Sequence, residues 1–288
     1  MSDLHVRDVS EAVVTSMTEA EMANWCRKDG THVVYQHGRD WKETRVGFYQ
    51  PVHLMARLHI EQAKRPVKLC WGFQAALCEN DATSANGSMP VHLLSDVAGY
   101  DLQSLSSNRR HNVRRYRKRA KIVQVISPEL LQEQGYEVVL SALKRTANPY
   151  EKTPSKPEYL AGLADWSAPH NQFVLAGLID DKLGGYITGY AVGGTAYTLR
   201  LYIATEALST YIGTGLIFEF VETCRRASKI HEVCYGLHLP EDPALGVFKE
   251  SMGFPLTHIP TKISMNPIIG KFIAWYRPYI YYRLTGHQ

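Results

Sequence analysis

The chain has 288 residues, 45% of them hydrophobic and 21% charged, an ordinary folded composition able to bury a core in one large domain or two small ones. No stretch reaches the roughly 18 uninterrupted apolar residues of a membrane span, and the acidic start MSDLHVRDVSEAVV has no apolar run of a secretory leader. Net charge is +4, yet residues 109–121 (RRHNVRRYRKRAK) hold eight basic residues and no acid, leaving 24 basic against 28 acidic elsewhere: a mildly acidic chain with one strongly basic segment.

In chain order, EAVVTSMTEAEMANWCRK has helical spacing with Thr18 as its cap, and THVVYQ reads as a short strand after Asp29-Gly30. The turn HGRD and an aromatic stretch through Trp41 and Phe48 follow. Residues 51–63 fit a strand or the start of a helix equally well, and 66–77 (PVKLCWGFQAAL) reads as a buried strand. Residues 79–90 (ENDATSANGSMP) are the clearest loop, and VHLLSDV is the strand after it. Asp101 to Lys121 forms the basic helix, with Leu105, Val113, Tyr116 and Ala120 on one face. Cations so dense repel one another unless an anion lies nearby, and phosphates of a carrier, nucleic acid or a lipid surface would all serve; a solvated helix face is the plainer alternative.

IVQVIS is a strand, and a helix starts at Pro128. Asn148 to Pro157 is a loop and KPEYLAGLADW a further helix. From Gln172 the pattern is regular: FVLAGLID, YITGYAVGG and AYTLRLYIA are three strands whose turns are supplied by Gly184-Gly185 and Gly193-Gly194. Leu199, Leu201 and Ile203 alternate with Arg200 and Tyr202. Then Thr210, Gly213 and Gly215 open an amphipathic helix over Leu216, Ile217, Phe220, Val221 and Cys224. Two glycines at a helix N-terminus let a ligand approach the backbone, and the first-turn N–H groups favour an anion there; a tight turn is the plainer reading. A strand HEVCYGLHL, a helix capped by Asp242 with Pro243 at its first position, Gly253-Phe254 and a strand PLTHIPTKIS complete the series.

Five cysteines (Cys26, Cys70, Cys78, Cys224, Cys234) are odd in number and form no CxxC pair, which points to a reducing, cytoplasmic setting without disulfides. The twelve histidines form neither HxxxH nor HExxH, so no metal centre is expected.

Three antiparallel strands, a glycine-turn helix, a strand, a helix, Gly-Phe and a strand resemble the GNAT acyltransferase superfamily over residues 172–265. That superfamily's Q/R-x-x-G-x-G/A motif grips the donor's pyrophosphate; here it reads Thr210-Tyr-Ile-Gly213-Thr-Gly215, with threonine in the Gln/Arg place. Thr210, Ile212, Gly213, Thr214 and Gly215 are therefore the implied donor-binding residues. Where many acetyltransferases carry a tyrosine four residues before the Gly-Phe glycine, this chain has Lys249. Together with the arginine-rich stretch SSNRRHNVRRYRKRAK, this looks like the Fem-type and related GNAT-like transferases. Some of these take aminoacyl groups from tRNA and others use thioester donors. The resemblance implies an α/β mixed-sheet fold divided as 1–100 (a degenerate GNAT-like half), 101–265 (catalytic) and an aromatic, basic extension 266–288.

Acyl transfer to an amine needs a neutral amine, a stabilised oxyanion and a protonated leaving group. His238, ending the strand after the glycine helix, is the candidate base; a lone histidine is otherwise structural. Lys249 is the candidate cation or acid, and a backbone N–H near Leu201 to Ala204 the oxyanion donor. Arg200, in an apolar strand, calls for a partner such as a substrate carboxylate or an ion pair, with Tyr202, Arg110 and Arg114 as further substrate-binding candidates. Glu219 is set aside as solvent-facing. The expected activity is that of an N-acyltransferase, moving an acyl group, fatty acyl included, from acyl-CoA or an acyl-carrier-protein phosphopantetheine thioester to an amine on a small molecule or peptide. The alternatives are an aminoacyl-tRNA-dependent transferase and a GNAT fold that only binds. The tail NPIIGKFIAWYRPYIYYRLTG fits a membrane interface, an acyl tunnel or, by default, packing on the N-terminal half.

Overall fold

The computed structural model describes residues 6–146, 152–164 and 172–287. Its first half runs β1 (Val6–Asp8), β2 (Ser16–Met17), α1 (Glu19–Lys28), β3 (Val33–Gln36), β4 (Arg39–Arg45), β5 (Phe48–Pro51), β6 (Gly72–Ala76), β7 (Gly87–Leu94), α2 (Ser107–Tyr116) and β8 (Lys121–Val125). Then come α3 (Tyr136–Thr146), α4 (Lys156–Ala164), β9 (Phe173–Ile179), β10 (Lys182–Val192), β11 (Thr195–Ile203), α5 (Ile212–Arg226) and β12 (Glu232–Leu237). Last are α6 (Pro243–Ser251), β13 (Leu256–Met265), α7 (Pro267–Tyr276) and α8 (Pro278–Thr285).

Caps set several of these ends. Thr18 and Glu21 form a reciprocal capping box at α1. Ser106 caps α2, which is shorter than the expected helix Asp101–Lys121 because residues 101–105 are bends and turns, 117–119 are a turn and Lys121 already belongs to β8. The Asp242 carboxylate accepts the Leu245 N–H at 3.0 Å to start α6. Of residues 51–63, Pro51 ends β5 and the rest form neither helix nor named strand, residues 79–84 are a 3-10 turn, and the helix expected from Pro128 opens with a π turn over Leu131–Gly135. The loop expected at 148–157 and the end of the helix after it lie partly outside the described residues.

Two compact units interleave along the chain: residues 1–16, 95–233 and 251–253 form one, and 17–94, 234–250 and 254–288 the other. This departs from the expected division at residues 100 and 265, because the C-terminal part, tail included, packs with the N-terminal segment. The reason is β13, which pairs antiparallel with both β7 (His258 opposite Pro90) and β6 (Lys262 opposite Ala75).

In the first unit β1, β8, β9, β10 and β11 are consecutive antiparallel neighbours. The β9–β10 turn is made by Asp180 and Asp181, with φ of +48° and +63°, the primed turn that matches strand twist. Gly184 and Gly185, expected in that turn, are instead inside β10. A Cβ on Gly185 would stand 2.8 Å from the Tyr202 carbonyl oxygen, so glycine is required there for strand approach. The β10–β11 turn is Gly193-Gly194, as expected. Helix α5 covers this sheet with Ile212, Leu216, Ile217, Phe220, Val221 and Cys224, all fully buried. In the second unit the order is β7-β13-β6-β5-β4-β3, parallel only between β5 and β6. Its core gathers Trp41, Tyr49, Leu58, Phe73 and Leu77. The tail packs there only in part: Leu284 of α8 joins Phe48 and Ile263 in the core, while α7 is largely exposed.

The two motif glycines have different reasons. On Gly215 a Cβ would lie 2.6 Å from the Tyr116 ring, whereas on Gly213 it would meet only Ile203, at 3.5 Å. Gly215→Ala is expected to cost roughly 1–3 kcal/mol by overpacking α2 against α5, and Gly213→Ala to leave stability within about 0.5 kcal/mol. Urea denaturation of the two variants checks the contrast.

Candidate functional site

The first unit holds the glycine turn. Tyr211, at φ +63°, ends a 3-10 turn and stands as the N-cap of α5 with no side chain capping the helix. The N–H groups of Ile212, Gly213 and Thr214 are therefore first-turn donors without an intrahelical partner, at the positive end of the helix dipole. The expected donor-binding side chains are otherwise occupied. The Thr210 hydroxyl donates to the Ala207 carbonyl at 2.6 Å, the Ile212 side chain packs over Gly177, Thr214 is buried and Gly215 seats Tyr116. No Gln or Arg stands at position 210, but α2 and the turn after it bring two arginines to the start of α5. Arg115 donates to the Tyr211 hydroxyl at 3.0 Å and lies 4.6 Å from that ring's centre; Arg119 donates to the Ser209 carbonyl at 3.1 Å. Two cations thus flank the residues leading into an uncapped helix, an arrangement suited to a phosphate.

Most of the basic segment is held inside the unit. Arg109 donates to the Ser251 hydroxyl, Arg110 to the Leu105 carbonyl, Arg117 to the Glu219 carboxylate, and Lys121 pairs with Asp8. Arg114 and Lys118 are exposed. Glu219 is buried rather than solvent-facing, because the Tyr116 hydroxyl and Arg117 both donate to its Oε1. Burial and this carboxylate push the Tyr116 phenol well up. Arg200 is exposed, as is Leu199, so this part of β11 is not the apolar strand its alternation suggests. Tyr202 stacks obliquely on Tyr186, their ring centres 5.5 Å apart.

The second unit brings together His238, Lys249 and a residue that sequence spacing does not reveal, His92. The Nδ1 of His92 lies 3.0 Å from the Phe254 carbonyl oxygen, which only accepts, so Nδ1 carries the proton. The Nε2 of the neutral His92 ring is then an acceptor for His238 Nδ1–H, at 3.1 Å. His238 is left with an unprotonated Nε2. Burial lowers both imidazoles below their ordinary pKa, with Lys249 adding to the effect, so both are neutral near pH 7. Gly246 of α6 lies against the His238 ring: a Cβ there would be in ordinary van der Waals contact with its Cε1, at 3.5 Å.

Lys249 is buried, contrary to an exposed helix lysine. Its Nζ lies 5.0 Å from the centre of the Tyr235 ring and donates to the Leu237 carbonyl at 3.3 Å, next in sequence to His238. Burial pulls its pKa from 10.5 to about 8. Among the described residues, His59, Cys78 and Asp81 also converge. Asp81 Oδ2 there accepts the Ile60 N–H at 3.1 Å, His59 Nδ1 at 3.1 Å and the Cys78 thiol at 3.3 Å, so hydrogen bonds alone account for the group.

No family model and no curated protein matches the sequence. Among solved structures, FemX superposes with a TM-score of 0.60 at 10% identity, over 92% of this chain and 96% of that one. The C-terminal domain of a protein described as a lysylphosphatidylglycerol synthetase from Agrobacterium fabrum gives 0.58 at 12% identity, over 93% and 98%. A Thermoplasma acidophilum N-acetyltransferase, solved with coenzyme A, gives 0.32 at 24% identity, over 38% and 74%. The fold is GNAT-like, an α/β architecture shared across nearly the whole chain with the first two structures.

The lowered pKa of Lys249 has a measurable sign. Between about pH 8 and 10.5 the unfolded chain binds a proton at this lysine that the folded chain has released, so its contribution to stability rises with pH across that window. Lys249→Met is expected to remove this rise, read as the pH dependence of the difference in urea midpoint between the two proteins.

Proposed function

We propose that the chain is an N-acyltransferase that moves an acyl group from a thioester of coenzyme A or an acyl-carrier protein to an amine. The observation that carries this reading is the chain from the Phe254 carbonyl through His92 to His238, which fixes one tautomer and leaves a bare imidazole nitrogen. His238 Nε2 takes the proton of the acceptor amine as its nitrogen attacks the thioester carbonyl. The C–N bond forms, the C–S bond breaks, and the imidazolium returns the proton to the departing thiolate. His92 is a positioning residue: it accepts the His238 Nδ1–H throughout. Lys249, protonated below about pH 8, supplies positive charge to the oxygen that becomes anionic in the tetrahedral intermediate. Within the first unit, the uncapped first turn of α5, with Arg115 and Arg119 beside its approach, is suited to phosphates such as those of coenzyme A.

The occupancy of the basic segment favours a thioester over aminoacyl-tRNA. Of the eight cations in 109–121, Arg109, Arg110, Arg117 and Lys121 are engaged by partners within the first unit and Arg115 and Arg119 stand at the start of α5, which leaves only Arg114 and Lys118 for the further phosphates of an extended polyanion. A tRNA donor would need several phosphate contacts and bind with a steep salt dependence.

His238→Ala is expected to lower kcat/KM roughly 10²–10⁴-fold. The wild-type pH profile should rise as His238 loses its proton, below its ordinary value of 6.5, and fall above about pH 8 as Lys249 does. Lys249→Ala should remove the alkaline limb, and His92→Ala should move the acid limb as well as lower the rate; full turnover by either histidine variant overturns its role. Thermal shift against coenzyme A, acyl-coenzyme A and charged tRNA decides the donor. Stabilisation by tRNA alone would transfer the reading to an aminoacyl transferase, and stabilisation by none to a binding module.

A further inference from the structure

Helix α7 presents an apolar face to solvent. Ile268 and Trp275 are each 79% exposed, Phe272 and Tyr276 57%, and Tyr279, at the start of α8, 47%. Residues 268, 272, 275 and 276 follow the i, i+4, i+7, i+8 spacing that places them on one side of a helix. The face is held firmly rather than left as a loose tail. Asn266 caps α7, its own N–H donates to the Trp71 carbonyl at 2.6 Å, and the Leu284 carbonyl of α8 accepts from the buried Gln74 amide at 2.7 Å.

We infer that this face docks on an anionic lipid surface, with α7 lying in the plane of the headgroups. Three observations select that occupant. The exposed set is aromatic with isoleucine, and Trp and Tyr rings suit the boundary between acyl chains and headgroups. Lys271 and Arg277 flank it, the Arg277 guanidinium 5.0 Å from the centre of the Tyr276 ring, and residues 266–288 contain no Asp or Glu. At ten residues α7 is about 15 Å long, long enough to lie in the interface and too short to cross it. A second copy of the chain fits less well. A two-fold contact between two such faces would bring Lys271 and Arg277 of both copies together with no carboxylate from either tail to meet them. The inference is independent of the acyl-transfer reading, since it needs no catalysis.

The test is flotation of the full chain with vesicles of phosphatidylcholine alone and of phosphatidylcholine mixed with phosphatidylglycerol. The chain should float with the mixed vesicles and bind the neutral ones roughly tenfold or more weakly. F272S/W275S should lose roughly tenfold or more of that binding, and K271E/R277E should lose the preference for phosphatidylglycerol. All these side chains are exposed, and an unchanged thermal transition confirms that the variants fold. Equal behaviour of F272S/W275S and the parent chain, or absence of binding to either vesicle, overturns the proposal. So does a dimer in light scattering that F272S/W275S dissociates, which would assign the face to a second copy.

Discussion

Tyr116 ties the first unit together. Its ring lies flat on the backbone of α5, where only a glycine at position 215 leaves room, and its hydroxyl reaches one turn along the same helix to the carboxylate of Glu219. A buried carboxylate without a partner is costly, and a buried phenol without an acceptor is costly too; each removes the other's penalty. The contact also sets register. With residue 116 clamped, Arg115 and Arg119 fall beside Tyr211 and Ser209, and Arg117 reaches Glu219 from the other side. A helix whose charges repel one another is held because its apolar face, the buried Tyr116–Glu219 hydrogen bond and the half-exposed Arg117–Glu219 ion pair outweigh that repulsion.

The histidine pair shows the same economy in the second unit. A carbonyl oxygen has no proton to offer, so one main-chain group, Phe254 C=O, decides the tautomers of two rings in succession. Phe254 follows Gly253, whose φ of +91° turns the chain at the end of α6. The Gly-Phe pair therefore does more than end a helix: its second residue orients the His92 imidazole and, through it, that of His238.

The order of elements from 172 to 265 was legible because strands and helices there alternate with clear periods and the caps are local. So were Thr18, Asp242 and the Gly193-Gly194 turn, each of which acts on residues within four positions of itself. Gly184-Gly185 misled, because Asp180-Asp181 can take positive φ as glycine does while strand approach has its own demand for glycine. Glu219 misled for a different reason: helical position says which way a side chain points, but not that a tyrosine 103 residues earlier will meet it. His92 left no trace at all. It sits in an apolar strand 146 residues from His238, and only the sheet brings them within a hydrogen bond. The division of the chain was hidden for the same reason, since strand β13 returns to strands formed some 170 residues before it.

That return has a consequence for how the protein is made. Synthesis proceeds from the N-terminus, and segments fold as they emerge. Strands β6 and β7 leave the ribosome early, yet the strand that belongs between them is completed only at Met265, and α8 later still. Every residue of the first unit, up to Gly253, is synthesised before β13 exists. During that interval β6 and β7 each offer an unpaired edge, the kind of surface on which strands from other chains add. The second unit, whose strands β3 to β7 are made before most of the first unit, is thus the last to close, and its vulnerable period is set by the speed of translation rather than by its own folding rate.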